Sequence, residues 1–225
     1  MANHLDLEEQ EQLDQLKHFW NAWGTLISSV LLVVFGALAA WNGYQYWQNR
    51  QAAQASALAD VVESAVAARD AARMEQAFGD LKSRYAGTQQ TGQAGLLVGR
   101  AMVEAGNLDG AKGVLTWVAD NASDAGYKAI ARLRLASVLL EQKAYDEALK
   151  QLSVSLPPEF DAAVADRKGD IYALQGKKAE AIAEYNKAYK GFDEGLELRR
   201  LVEVKLNALG AQPQLVASAA AGGQQ

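Results

Sequence analysis

The sequence predicts an all-α protein, in which a single N-terminal transmembrane helix precedes a solenoid of helical hairpins with a C-terminal capping helix. Three observations predict this class. The chain has only three prolines in 225 residues and is rich in alanine, which favours long uninterrupted helices. No charged residue occurs between Lys17 and Arg50. Beyond Arg50, apolar residues recur every three to four positions, which is typical of amphipathic helices.

The composition excludes several kinds of functional site. The chain has no cysteine, which excludes a disulfide scaffold and a thiolate site, and its two histidines, His4 and His18, are too few for most metal sites or triads. A net charge of −5 and a pI near 5.2 disfavour nucleic acid as a partner. No phosphate loop, nucleophile elbow or EF-hand motif occurs in the sequence. We therefore expect no catalytic residue, cofactor, metal or nucleic-acid partner, and we expect the protein not to be an enzyme.

The first element is a predicted transmembrane helix over residues 22–47. Its apolar part, from Ala22 to Trp41, is long enough at 1.5 Å per residue to cross a hydrocarbon layer of about 30 Å. Aromatic residues stand at both ends, where they favour the headgroup level of a lipid bilayer. The residues expected to anchor the chain are Trp23, Leu26, Ile27, Leu31, Val34, Phe35, Leu38, Trp41 and Trp47.

Two other interpretations of this segment are disfavoured. A buried helix of a soluble domain is seldom apolar on every face over such a length. A cleaved signal peptide has a positive leading region, whereas residues 1–21 form an acidic tail with Lys17 as its one basic residue. Flanking charge leaves the orientation open, because Lys17 precedes the span and Arg50 follows it.

Small residues inside the span predict a contact with another membrane helix. Gly36 and Ala40 form a small-xxx-small pair, and Ser29 lies earlier on the helix. Such residues let helices approach closely. The alternative is that they reflect only the ordinary abundance of glycine and alanine in membrane helices.

Residues 48–210 form a predicted repeat domain. Three segments align, with offsets of 37 and then 33 residues, and each has a small residue, a large residue three positions later and an alanine nine further on. The small residues lie where the two helices of a hairpin approach. We expect hairpins at about 52–86, 92–122, 129–156 and 162–190, a cap at 192–209 and a disordered tail at 211–225. The expected packing residues are Gly99, Ala111, Leu115, Ala136, Leu139, Ala148, Leu152, Gly169, Tyr172, Ala181 and Tyr185.

Particular residues also predict where the helices of the hairpins end and turn. Gly106 and Gly176 suit a left-handed residue after the first helix of a hairpin, and Lys143 replaces glycine in the middle repeat. Pro157 and Pro158 end the second helix of that repeat.

This pattern resembles the tetratricopeptide repeat, although the large residue expected four positions before the first small one is missing, with Gly95, Arg132 and Ala165 in its place. The resemblance implies that the first helix of each hairpin lines a concave face that could bind client segments. The alternative is that these residues pack between repeats. The repeat alignment transfers the positions of that concave face to this sequence. The candidate client groove then contains Arg100, Glu104, Leu133, Ser137, Glu141, Asp166 and Asp170.

Nearly the whole chain also resembles the YfgM family of ancillary subunits of the bacterial SecYEG translocon. The resemblance is carried by 17–20 (KHFW), 44–47 (YQYW), 128–136 (KAIARLRLA) and 163–170 (AVADRKGD). It implies a single-pass inner-membrane protein with its tail in the cytoplasm and its repeats in the periplasm. The implied partners are the SecYEG translocon, the periplasmic chaperone PpiD and unfolded secretory clients, and the implied role is to pass newly translocated chains to periplasmic chaperones. A scaffold or regulator of another envelope complex, acting through the repeats or the tail, remains the alternative.

Overall fold

The computed structural model describes residues 7–213, with side chains from residue 11 onward. Residues 1–6 of the predicted acidic tail and residues 214–225 of the predicted disordered tail lie outside this range. Every regular element between residues 7 and 213 is helical, which confirms the predicted all-α class. The elements are α1 (Leu7–Ala67), α2 (Ala71–Tyr85), α3 (Gln89–Glu104), α4 (Leu108–Asn121), α5 (Ala125–Glu141), α6 (Tyr145–Gln151), a 3₁₀ turn (Pro158–Phe160), α7 (Asp161–Leu174), α8 (Lys178–Gly191) and α9 (Glu197–Ala208).

The chain divides into two units, residues 1–51 and 52–225. In the first unit, the described residues are helical throughout, because no proline interrupts the apolar run. The part of the chain that the structure describes has one helix long and apolar enough to cross a membrane, by length and composition. Only 6% of its most apolar window is buried, which is unlike the core helix of a soluble domain.

The predicted anchor residues are almost all exposed on this helix. Phe35 is 65% exposed and Trp41 is 61% exposed, and Ile27 alone of the nine is half-buried. Apolar side chains exposed in such a continuous run need an apolar solvent, and a bilayer provides one.

The second unit is a stack of helical hairpins. From α2 to α9, each helix packs against the next one in the chain. The first helices of successive hairpins also touch, since α3 contacts α5 and α5 contacts α7. A solenoid has this arrangement, in which every repeat is held by its neighbours. The last residues of α1 supply the first helix of the first hairpin, and Ala55, Val62 and Ala65 are fully buried there.

Among the described residues, five in the left-handed conformation mark the repeat register. Their φ angles lie between 55° and 76°, and the spacings between them are 37, 37, 33 and 34 residues. At each one the chain makes the same six-to-one hydrogen bond of a Schellman turn, as from the backbone N–H of Asn107 to the carbonyl of Met102 at 2.8 Å. α9 therefore ends as the first helix of a hairpin does, so the capping helix keeps the register of the repeats. The five are Arg69, Gly106, Lys143, Gly176 and Gly210.

In the described part of this unit, residues 52–213, two apolar clusters hold the helices together. The larger one runs from Ala55 to Ile171, and the smaller one joins α7, α8 and α9 around Tyr185, Val202 and Leu206. Of the eleven residues expected to pack the repeats, ten are buried and Tyr172 is half-buried.

Crowding around Gly95 explains why the second hairpin lacks the large residue that the tetratricopeptide pattern has at this position. A Cβ at this position would lie 2.9 Å from the ring of Phe78 and closer still to Val118, so the neighbouring helices already fill the space. Gly113 in α4 is the matched contrast, because a Cβ there would meet nothing within 4 Å.

Gly95→Ala should lower the melting temperature of the full chain, because overpacking costs about 1–3 kcal/mol and exceeds the roughly 1 kcal/mol that helix propensity returns. Gly113→Ala should raise the melting temperature, because it gains propensity without a clash. Circular dichroism of the purified chain in detergent measures both. Equal shifts for the two variants would contradict the packing described for Gly95.

Candidate functional site

The repeat register identifies a set of equivalent positions on the first helices of the hairpins. We call it the helix-A face. It consists of the residues nine, six and two positions before each left-handed residue. In the second to fifth repeats these are Leu97, Arg134, Arg167 and Leu201; Arg100, Ser137, Asp170 and Val204; and Glu104, Glu141, Leu174 and Ala208.

A groove of about 530 Å³ opens on this face between the end of α1, α3 and α5. Four apolar and four polar side chains line it. They are Val66, Ala67, Leu96 and Leu97, and Glu63, Gln93, Arg100 and Arg134. A surface of this kind suits contact with a segment of another polypeptide.

Two arginines dominate the charge of the groove. The Nε atom of Arg100 lies 2.7 Å from a carboxylate oxygen of Glu104. Arg134 instead donates from Nη1 to the backbone carbonyl of Leu96 at 2.9 Å. Burial, and then the positive charge of Arg100, lower the pKa of Arg134 from its usual value. The pKa of an arginine starts so high that the side chain remains a cation.

The residues predicted for the client groove divide into three groups. Arg100 lines the groove, and Glu104 is exposed beside it. Leu133 and Ser137 are half-buried on α5, where the Ser137 hydroxyl donates to the Leu133 carbonyl at 3.0 Å, and Glu141 is exposed at the end of that helix. Asp166 and Asp170 lie elsewhere, against α9.

Both of these carboxylates bind Lys205 of α9, and a role for Asp166 and Asp170 in client binding stays a prediction. The Lys205 Nζ atom lies 2.7 Å from an oxygen of each. Tyr185 donates its hydroxyl to Asp170 at 2.9 Å, and Arg167 contacts the same carboxylate at 3.2 Å. These groups hold the last helix onto the stack.

Burial raises the pKa of Asp166, although the hydrogen bond and charge of Lys205 oppose that shift. Burial, followed by the nearby Asp170, raises the pKa of Tyr185 well above its usual range, so this phenol stays a hydrogen-bond donor.

Replacing Lys205 by methionine should destabilise the full chain by about 2 kcal/mol at neutral pH, because two largely buried carboxylates lose their shared cation. Without Lys205 the pKa of Asp166 rises further. A carboxyl whose folded pKa is raised stabilises the fold below its unfolded pKa and loses that stabilisation as the pH rises through the folded pKa. The deficit should therefore shrink as the pH falls through the raised folded pKa of Asp166, and it should be smallest near the unfolded pKa, at about pH 4.

Melting temperatures across this pH range test the prediction, with Lys187→Met as the control. Lys187 pairs with Glu184 at 2.6 Å but is 65% exposed, so its loss should matter little. A deficit for the Lys205 variant that is constant with pH would contradict the role given to Asp166.

Sequence reasoning missed several exposed apolar residues of the helix-A face. Leu201 and Val204 on α9 are 48% and 62% exposed, and Leu174 on α7 is 62% exposed. It also chose Leu133 on α5, whereas its neighbour Arg134 is the residue that lines the groove. Gly210 was the signal that could have added α9, since it follows Gly176 at the spacing of the other repeats.

In the first unit, the predicted helix-contact residues lie on an open helix surface. The Ser29 hydroxyl donates to the carbonyl of Thr25 at 2.7 Å, and a Cβ on Gly36 would meet nothing within 4 Å. Ala40 is exposed. Their contact with another membrane helix stays a prediction.

Comparison with known proteins decides the family. A family model described as a tetratricopeptide repeat-like domain matches residues 17–211. The chain belongs to this family. It is 34% identical over 213 residues to the ancillary SecYEG translocon subunit of Neisseria gonorrhoeae, across 93% of this chain and 100% of that one. The protein of the same description from Escherichia coli is 26% identical, across 89% of this chain and 96% of the relative.

These two relatives carry the same description as a protein of Haemophilus influenzae, which is 27% identical over 90% of this chain. The predicted membership of the YfgM family is thereby confirmed. The tetratricopeptide repeat-like match extends across both units, from the start of the apolar run to the end of α9.

Proposed function

We propose that this protein is a non-enzymatic inner-membrane adaptor of the Sec translocon. The observation that carries the proposal is the match to ancillary translocon subunits across almost their full length, including the apolar helix as well as the repeats. Ancillary subunits and tetratricopeptide-like domains are typically non-catalytic, which supports a binding role.

In this role the apolar helix anchors the chain in the bilayer, with the acidic tail in the cytoplasm and the repeat domain in the periplasm. The repeats receive newly translocated chains and pass them to periplasmic chaperones, PpiD among them. The exposed leucines and valine of the helix-A face and the groove at its first repeats support this role, because unfolded clients present apolar segments.

The topology is tested by protease added to the outside of intact spheroplasts. We expect the repeat domain to be degraded and a tag on the N-terminal tail to survive. A repeat domain that resists protease in intact spheroplasts and is digested only after lysis would contradict the proposal. A tag fused after Gly210 reports on the opposite side of the span, and the external protease should remove it.

The partnership is tested by purifying the protein from mildly solubilised membranes. Channel subunits and PpiD are expected to copurify with the full chain. A variant lacking residues 1–17 should retain both, because the repeats and the span carry the contacts. Loss of both partners in that variant, with the repeats still folded, would favour a regulator that acts through its tail.

A further inference from the structure

The most unusual group in the groove is the guanidinium of Arg134. Among the side chains described from residue 11 to 213, no carboxylate lies within ion-pair distance of it, and it donates a hydrogen bond to the neutral carbonyl of Leu96. The half-buried cations Lys205 and Arg132 have the acidic partners Asp166 and Asp120, whereas Arg134 is exposed and has no such partner among the described residues. The guanidinium has further N–H groups beyond the one that bonds Leu96, and a ligand carboxylate would form a charge-assisted pair with them.

A second arginine adds to the positive charge at this place. Arg100 lines the same groove and is close enough to Arg134 to lower its pKa. Glu104 partly neutralises Arg100, but it does not pair with Arg134. Glu63 is the one acidic residue in the lining, and among the described residues it forms no ion pair with either arginine. The lining therefore carries two cations and one anion.

The surface around the two arginines is apolar. Leu96 is only 7% exposed and forms part of the main core, while Leu97, Val66 and Ala67 line the same groove. A ligand that fills it must combine apolar side chains with one negative charge. Such a ligand matches the charge of the groove as well as its apolar lining.

We infer that the groove between α1, α3 and α5 binds an extended apolar segment that carries an acidic side chain, with Arg134 pairing with the carboxylate and Arg100 reinforcing it. The inference rests on the proposed function, since it states which segments of a translocated chain the repeats select. An arginine fork can hold a carboxylate through two parallel hydrogen bonds, which a neutral amide cannot match.

The test uses the full chain in detergent and two short fluorescent peptides. Both consist of leucine, alanine and serine with an amidated C-terminus, and they differ in having glutamate or glutamine at the centre. The glutamate peptide should bind about fivefold more tightly, as expected for one charge-assisted pair that is partly shielded from water. Raising the salt concentration should reduce this preference.

Three variants test whether Arg134 causes the preference for the glutamate peptide. Arg134→Gln should abolish it, and Arg134→Lys should restore part of it, because a lysine keeps the charge without the fork. Arg84→Gln, in α2 and outside the groove, should leave it unchanged. Melting curves show whether each variant is folded, since a purely structural role for Arg134 would alter stability without altering the choice between the peptides.

Equal affinities for the two peptides would overturn the inference and leave the proposed function standing, since apolar clients would still bind. A glutamate preference that persists in Arg134→Gln would also overturn it. If neither peptide binds the wild-type chain, the inference and the proposed role of the groove both fail.

Discussion

Replacing Leu31 and Phe35 together by arginine is expected to remove this protein from the membrane. Both residues lie in the middle of the apolar run and are exposed, by 47% and 65%. An arginine at the centre of a membrane helix costs about 2.5–3.5 kcal/mol for insertion, so the pair costs roughly twice that and also loses two favourable side chains. The variant chain should be extracted from membranes by alkaline carbonate, whereas the wild type should remain in the pellet.

The control places the same two charges at the end of the run. Gln48→Arg together with Gln51→Arg should leave the chain in the membrane pellet, because long cationic side chains near a helix end reach the interface. Carbonate resistance of the Leu31 and Phe35 variant would show that this segment does not span the bilayer.

Phe78→Ala should be the most destabilising single truncation in the repeat domain, at about 3–5 kcal/mol. Phe78 is 2% exposed on α2 and packs edge-on against Trp117 of α4, with the ring centroids 5.6 Å apart. It also lies against Gly95 of α3, so one ring links three helices. Its removal leaves a cavity that the surrounding helices cannot close without losing their register.

Denaturation of the full chain in detergent measures the loss. Leu174→Ala is the control, because Leu174 is 62% exposed and its truncation should change stability by less than about 0.5 kcal/mol. A Phe78→Ala variant as stable as the control would contradict the packing of the first two hairpins.

The sequence predicted the class and the repeats because both depend on local signals. Gly106 and Gly176 are left-handed, as their positions indicated, and Lys143 takes the same conformation without being glycine. A non-glycine residue costs about 1–2 kcal/mol in this conformation, so composition alone would not point to Arg69 or Lys143. The spacing of the turns points to them instead.

The candidate site was harder to predict because it depends on contacts between distant segments. Asp166 looked available on its own helix, and only the fold brings Lys205 against it, 39 residues later. Leu133 and Arg134 are neighbours in sequence but about 100° apart around the helix, and only Arg134 lines the groove. The repeat register alone does not show which of two adjacent positions faces it. Gly95 departed from the repeat pattern because Phe78 of the preceding hairpin fills its space.

The central claim is that the helix-A face of the repeats receives newly translocated chains. A photo-crosslinking amino acid at Leu97, in the groove, tests it in living cells during export. The same probe at Gly113 on α4, where an added side chain meets open space, is the control. We expect the probe at Leu97 to capture secretory proteins whose signal peptides have been removed, and the probe at Gly113 to capture few. Equal capture from both positions, or capture of none from Leu97, would contradict the account.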